Sequence, residues 1–160
     1  MRVSDYIIEC LINHGVECAY VVTGRGSLFL TDALKKNQKL QTRFLHHEQS
    51  AAFAAVSAAQ LSKKPSCCIV STGCSSTNTI TGLLSAWQDG IPCIFISGQN
   101  HLNETKRFTK IPLRTYGQQE ADIISLVEPI TKYSKMLTDP KMTRFEIEKA
   151  IYYSIEGRKG

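Results

Sequence analysis

Four short runs suited to buried strands recur along the chain: Ala19-Tyr20-Val21-Val22, Arg43-Phe44-Leu45, Cys67–Ser71 and Pro92–Ser97. Each of the first three leads into a helical stretch. Such alternation predicts βαβ units and a parallel sheet. Strands that read as near-continuous apolar runs imply helices over both faces. The expected architecture is therefore a three-layer α/β/α fold with a mostly parallel sheet. At about 150 residues per domain, residues 1–160 make one domain. Functional residues in such a fold gather at the carboxyl ends of the strands. That rule singles out Thr23–Ser27, His46–Glu48, Thr72–Asn78 and Gly98–Asn100.

The helices read as follows. Ser4 is placed to cap a first helix whose stripe is Val3, Ile7, Ile8, Leu11 and Ile12, with Gly15 placed to end it. A glycine turn, Thr23–Ser27, leads into a second helix that runs through Lys36. An alanine-rich helix spans Glu48–Leu61 and another spans Thr77–Trp87. After a longer polar connection, a final helix covers roughly Met142–Ile155 and carries Phe145, Ile147, Ala150 and Ile151.

Composition excludes several classes. With 42% hydrophobic and 21% charged residues the chain has a globular balance. Its longest apolar runs, such as Ile91–Ile96, fall far short of the roughly 20 residues that cross a bilayer. The net charge is +5, and the basic residues form small groups: Lys35, Lys36 and Lys39; Lys63 and Lys64; Lys106, Arg107 and Lys110. They read as a solvated surface rather than a nucleic-acid stripe. Six cysteines sit mostly among apolar residues, and no C-x-x-C occurs. Adjacent Cys67 and Cys68 on a strand point to opposite faces. Asp5 and Glu9 interrupt the amino terminus where a signal peptide would have an apolar core. A cytoplasmic, reduced chain is expected.

Several motifs fail in detail. Gly24-x-Gly26 follows a strand, but Phe29 occupies the third position of G-x-G-x-x-G, so a tight turn is the better reading. His46-His47-Glu48 lacks the second histidine of a zincin, since Ala51 stands there. Gly73-Cys74-Ser75 lacks the closing glycine of a serine-hydrolase elbow. No metal ligands are assigned. Glu48 opens a helix after a strand, where a carboxylate either complements the helix dipole or faces a ligand. Ser71–Asn78 is a polar turn offering N–H groups and hydroxyls either to a ligand or to ordinary capping.

Taken together, these pieces resemble thiamine-diphosphate enzymes of the acetolactate synthase group. His47-Glu48-Gln49-x-Ala51-x-x-Ala54-Ala55 resembles their HEQ-A--AA segment. Thr72-Gly73-x-x-x-Thr77-Asn78-x-x-Thr81-Gly82 is similar to their TGPGATN--TG loop. Trp87-x-Asp89-x-Ile91-Pro92 with Ile96-Ser97-Gly98-Gln99, and Gly117-x-Gln119-Glu120 with Thr131-Lys132-Tyr133, extend the likeness in order. Two departures stand out: Cys74-Ser75 replaces Pro-Gly, and Thr23 replaces a common Pro.

The resemblance is to the amino-terminal, pyrimidine-binding domain. It implies thiamine diphosphate as cofactor, with Glu48 catalytic through a hydrogen bond to the aminopyrimidine N1′. Thr23, Gly24, Thr72, Cys74 and Asn78 would contact the cofactor, and Gln119 would lie on the substrate side. The implied function is that of an acetolactate-synthase-like transferase or lyase, which decarboxylates a small 2-oxo acid and then ligates or protonates the product. Burial raises a carboxyl pKa while a helix N-terminus lowers it; apolar neighbours and the cofactor ring favour a raised Glu48. Neither Gly-Asp-Gly nor an Asn pair is present, so magnesium and diphosphate ligands are expected outside this chain, as is any FAD-binding segment. The family's central and diphosphate-binding domains are expected outside these 160 residues, which read as a truncated protein or a single domain of a longer one and are expected to be inactive alone. The same resemblance implies a homodimer, with a diphosphate-binding domain from the same or another chain. Two alternatives stay open, the α subunit of a split 2-oxo-acid decarboxylase and a non-catalytic binding module.

Overall fold

The computed structural model describes residues 1–109 and 111–160. Its order is α1 (Val3–Asn13), β1 (Cys18–Val21), α2 (Leu28–Lys36), β2 (Gln41–Phe44), α3 (Glu48–Ser62) and β3 (Ser66–Val70). Then follow the single turn α4 (Cys74–Thr77), α5 (Ile80–Asp89), β4 (Cys93–Ser97), α6 (Ile123–Val127) and α7 (Thr143–Ile155). The four strands form one sheet in the order β2-β1-β3-β4. Every pairing is parallel, with Cys18 opposite Gln41, Ala19 opposite Cys67 and Ser66 opposite Cys93.

Strand alternation divides the core into two faces. Ala19, Val21, Cys67, Ile69 and Ile94 meet Ile8 and Leu11 of α1, Leu34 of α2 and Ile151 of α7. On the opposite face, Cys68 and Val70 pack against Ala51, Ala52 and Ala55 of α3. Cys93 packs with Val56 and Ala59 of α3 and Ala86 of α5. The architecture is thus α/β/α in three layers. Cys67 and Cys68 do face opposite cores, and all six cysteines are free thiols.

The local boundaries show where competing interactions win. Arg2, not Ser4, precedes α1; its carbonyl accepts the Tyr6 N–H, and its guanidinium binds Asp5. Ser4 is therefore inside the first turn and buried, and its hydroxyl has no hydrogen-bond partner. At the other end, the Gly15 and Val16 N–H groups bond Ile12 and Leu11 carbonyls, a Schellman closure. β2 begins two residues before the expected strand, and none of its residues is buried, as suits an edge. The helix expected over Thr77–Trp87 is two helices. Thr77 Oγ1 bonds the Cys74 carbonyl and Thr79 Oγ1 the Ser76 carbonyl, so hydroxyls compete with the helical ladder at the break.

Among the described residues, no helix is long and apolar enough to cross a membrane. Members of the basic groups are neutralised at the surface: Lys36 by Asp32, Lys64 by Glu17 and Arg107 by Asp122. Lys110 lies outside the described residues.

The small residues of α3 serve close packing. At Gly82 of α5 a Cβ would stand 2.6 Å from the Ala52 Cβ and 3.2 Å from the Ala52 carbonyl carbon. Gly82→Val is expected to push α5 off α3 and lower stability by about 1–3 kcal/mol, the usual cost of overpacking. A urea denaturation midpoint measures the loss, and an unchanged midpoint would show that the helices can separate freely.

Candidate functional site

A cleft of about 270 Å³ opens at the carboxyl edge of the sheet. Thr23, Gly24 and Arg25 come from the loop after β1, and Glu48 from the start of α3. Ser71, Thr72 and Ser75 come from the turn after β3, and Asn100, Gln118 and Gln119 from the connection after β4. Parallel strands deliver all their outgoing loops to one edge, which is why residues so distant in sequence meet here.

Glu48 is half-buried, and both of its oxygens are occupied. Ser75 Oγ donates to Oε1 at 2.8 Å, and Asn78 Nδ2 donates to Oε2 at 2.9 Å. Burial pushes this carboxyl up. The hydrogen bonds from Asn78 and Ser75, its own backbone N–H and the nearby His47 together outweigh burial and hold it below its ordinary value. The raised Glu48 favoured by sequence reasoning is therefore not found in the chain by itself, because two side-chain donors from the β3–α5 turn reach it. His47 has a local duty: its Nδ1 accepts the Gln49 N–H and caps α3. Among the described residues no group of three His, Cys, Asp or Glu side chains could hold a metal ion.

The far wall is set by backbone geometry. Gly73 has φ +56°, and a Cβ there would lie 1.2 Å from the Gln119 carbonyl oxygen. Gln119 itself has φ +54°, in the left-handed region that non-glycine residues rarely adopt. Glu120 steadies this bend by accepting the backbone N–H groups of Lys106 at 2.5 Å and Tyr116 at 3.1 Å. Arg25 Nη1 bonds Gln118 Oε1 at 2.5 Å, and Asn100 Nδ2 bonds the Gln118 carbonyl at 3.1 Å, joining the β1 loop to the same wall.

Of the residues singled out from sequence, Thr23, Gly24, Glu48, Thr72 and Gln119 line the cleft. Asn78 stands behind Glu48 as its hydrogen-bond partner. Cys74 is exposed and is not part of the lining. Arg25, Ser71, Ser75 and Asn100 fall within or beside the strand-end loops but were not assigned roles. Gln118 sits next to the Gln119-Glu120 pair, and only that adjacency could have pointed to it. A second, larger groove of about 880 Å³ runs beside β4 and α7, is lined largely by apolar residues, and does not include Glu48.

The description of a thiamine pyrophosphate enzyme, N-terminal TPP binding domain, matches residues 1–126. Acetolactate synthase, chloroplastic, from Arabidopsis thaliana is 31% identical over 160 residues, covering 98% of this chain and 22% of that protein. The acetolactate synthase large subunit of Cyanidium caldarium is 31% identical over 157 residues, covering 96% and 26%. That of Haemophilus influenzae is 28% identical over 159 residues, covering 98% and 26%. The chain thus spans about a quarter of the length of these curated relatives.

The carboxyl of Glu48 also links the site to stability. Its folded value lies below the ordinary 4.5, so folding gains from its ionisation above about pH 4.5 and loses that gain as pH falls through the folded value. Asp122 behaves alike: burial raises it, but Ser125 and Arg107 outweigh burial and lower it from 3.8. Glu48→Gln is expected to flatten the fall in urea midpoint below pH 4.5 while leaving the Asp122 part in place. An acid limb identical to that of the unsubstituted protein would contradict the hydrogen-bonded, ionised state.

Proposed function

The chain belongs to the thiamine pyrophosphate enzyme family through its N-terminal TPP-binding domain, and from that premise we propose that the cleft beside Glu48 receives the aminopyrimidine ring of thiamine diphosphate. The observation that carries this reading is a carboxylate held by two side chains on the wall of a cleft at the sheet's carboxyl edge. A cleft of about 270 Å³ suits one heteroaromatic ring rather than a whole cofactor. Its walls fit such a ring: Glu48 faces a ring nitrogen, with Thr23, Gly24 and Thr72 beside it and Gln119 toward the substrate.

The enzyme would be acetolactate-synthase-like, a transferase or lyase acting on small 2-oxo acids by decarboxylation and carboligation. The names of the relatives favour that class. Thiamine diphosphate supplies the carbanion chemistry, and the protein supplies positioning and electrostatics. Glu48 holds and moves the proton at the ring nitrogen. Asn78 orients the carboxylate. Gly73 and Gln119 keep the β3 turn and the far wall in contact and so limit water in the cleft.

Magnesium and the diphosphate would be held by a diphosphate-binding domain of the same or another chain. A homodimer is supported by α5, where Leu83 is buried but Leu84 is only partly so and Trp87 is 37% exposed. The cytoplasm is favoured by six free thiols, although the Arabidopsis relative is named chloroplastic.

Titrating thiamine diphosphate into the isotope-labelled chain is expected to shift amide signals of Thr23, Gly24, Thr72 and Gln119. Perturbations confined to the β4–α7 groove would overturn the placement. With a diphosphate-binding domain joined, Glu48→Gln should slow C2 proton exchange of bound cofactor and turnover by about 10²–10⁴-fold, the worth of well-placed proton transfer. The 160 residues alone should release no carbon dioxide from pyruvate. Unchanged exchange in a folded Glu48→Gln protein would return Glu48 to a helix-terminal charge.

A further inference from the structure

Of the two donors on Glu48, Ser75 is itself anchored by a backbone hydrogen bond. Ser75 has one hydroxyl proton. Its oxygen accepts the Ser71 N–H at 3.1 Å, which leaves the proton directed to Glu48 Oε1 at 2.8 Å. Ser71 is fixed in turn: its hydroxyl accepts the Gly26 N–H at 3.1 Å, and its carbonyl accepts the Ser97 hydroxyl at 2.9 Å. A relay of hydrogen bonds therefore runs from the β1 loop through Ser71 and Ser75 to the carboxylate.

This arrangement favours one charge state of Glu48. An ionised oxygen accepts the Ser75 proton in a strong, charge-assisted hydrogen bond, whereas a protonated carboxyl accepts it more weakly. We propose that Ser75 is a positioning residue whose hydroxyl holds Glu48 turned toward the β3–α5 turn as an acceptor and so lessens the hold of Glu48 on a proton it shares with a bound ring. The second half of this statement rests on the cofactor reading above; the first half concerns the chain alone. The resembling sequences carry glycine where this chain has Ser75, so the hydroxyl is a feature that the family motif does not require.

The other titratable groups near the carboxyl are His47 on its own helix start, Arg25 across the cleft and Cys68 of β3, while Cys74 beside Ser75 in α4 is exposed. Cys68 is kept neutral, pushed up to about 12 by burial with contributions from Cys93 and Glu48. A substitution at Ser75 leaves these side chains themselves in place, and Ser75→Thr also keeps an oxygen for the Ser71 N–H that Ser75→Ala removes.

The test is a side-chain carbon NMR titration of Glu48 in the isotope-labelled chain, comparing wild type, Ser75→Ala and Ser75→Thr, with amide spectra as the check on folding. Losing one hydrogen bond to an ionised group should raise the proton affinity of Glu48 roughly tenfold in Ser75→Ala. Ser75→Thr should keep the wild-type midpoint. If the alanine variant does not fold, Ser75→Gly takes its place in the same titration. A midpoint unchanged on losing the hydroxyl overturns the proposal, as does a threonine variant that behaves like alanine. Because the titration needs no cofactor, these outcomes are independent of thiamine diphosphate. A raised midpoint in a chain whose signals ignore thiamine diphosphate supports the hold of Ser75 on Glu48 and overturns only the cofactor reading.

Discussion

The loops after β1 and β4 meet across the end of β3 with almost no space between them. A Cβ on Gly98 would lie 2.1 Å from the Gly26 carbonyl oxygen, and one on Gly26 would lie 2.3 Å from the Thr72 methyl. β1 and β4 are not neighbours in the sheet; β3 separates them. Only residues without side chains let the two loops close over it. That contact brings Ser71 under the Gly26 N–H, and Ser71 then orders Ser75 and, through it, Glu48. The geometry of the cleft follows from this one backbone approach.

The electrostatics of Glu48 show two effects in competition. Burial alone would make the carboxyl a better proton holder, and the apolar sheet beneath it argues in that direction. Two neutral donors, a backbone N–H and the nearby His47 together reverse the outcome. The larger share comes from the Asn78 and Ser75 hydrogen bonds, neither of which needs a charged donor. A ligand donor would share a carboxylate oxygen with a hydrogen bond already made.

Much of the layer structure was legible in the sequence because parallel strands buried on both faces leave apolar runs, and β3 and β4 are such runs. The edge strand β2 was placed two residues late, since Gln41, Thr42 and Arg43 give no burial signal. The break between α4 and α5 escaped the periodicity because it depends on threonine hydroxyls bonding back to nearby carbonyls. At the site, strand-end logic found Glu48 and the two glycine-bearing turns. It could not find the wall made by Gln118 and Gln119, which has no regular structure. That wall is placed by Glu120 gripping the N–H groups of Lys106 and Tyr116 and by the lack of a side chain at Gly73.

The two borders of the sheet are chemically unlike. β2 presents Gln41, Thr42 and Arg43, which discourage a passing strand from adding to it. β4 reads Cys93-Ile94-Phe95-Ile96-Ser97, and no further strand pairs with its outer side among the described residues. The residues of β4 are buried or half-buried, whereas those of β2 stand largely at the surface, so the polar side chains of β2 guard the border that solvent reaches.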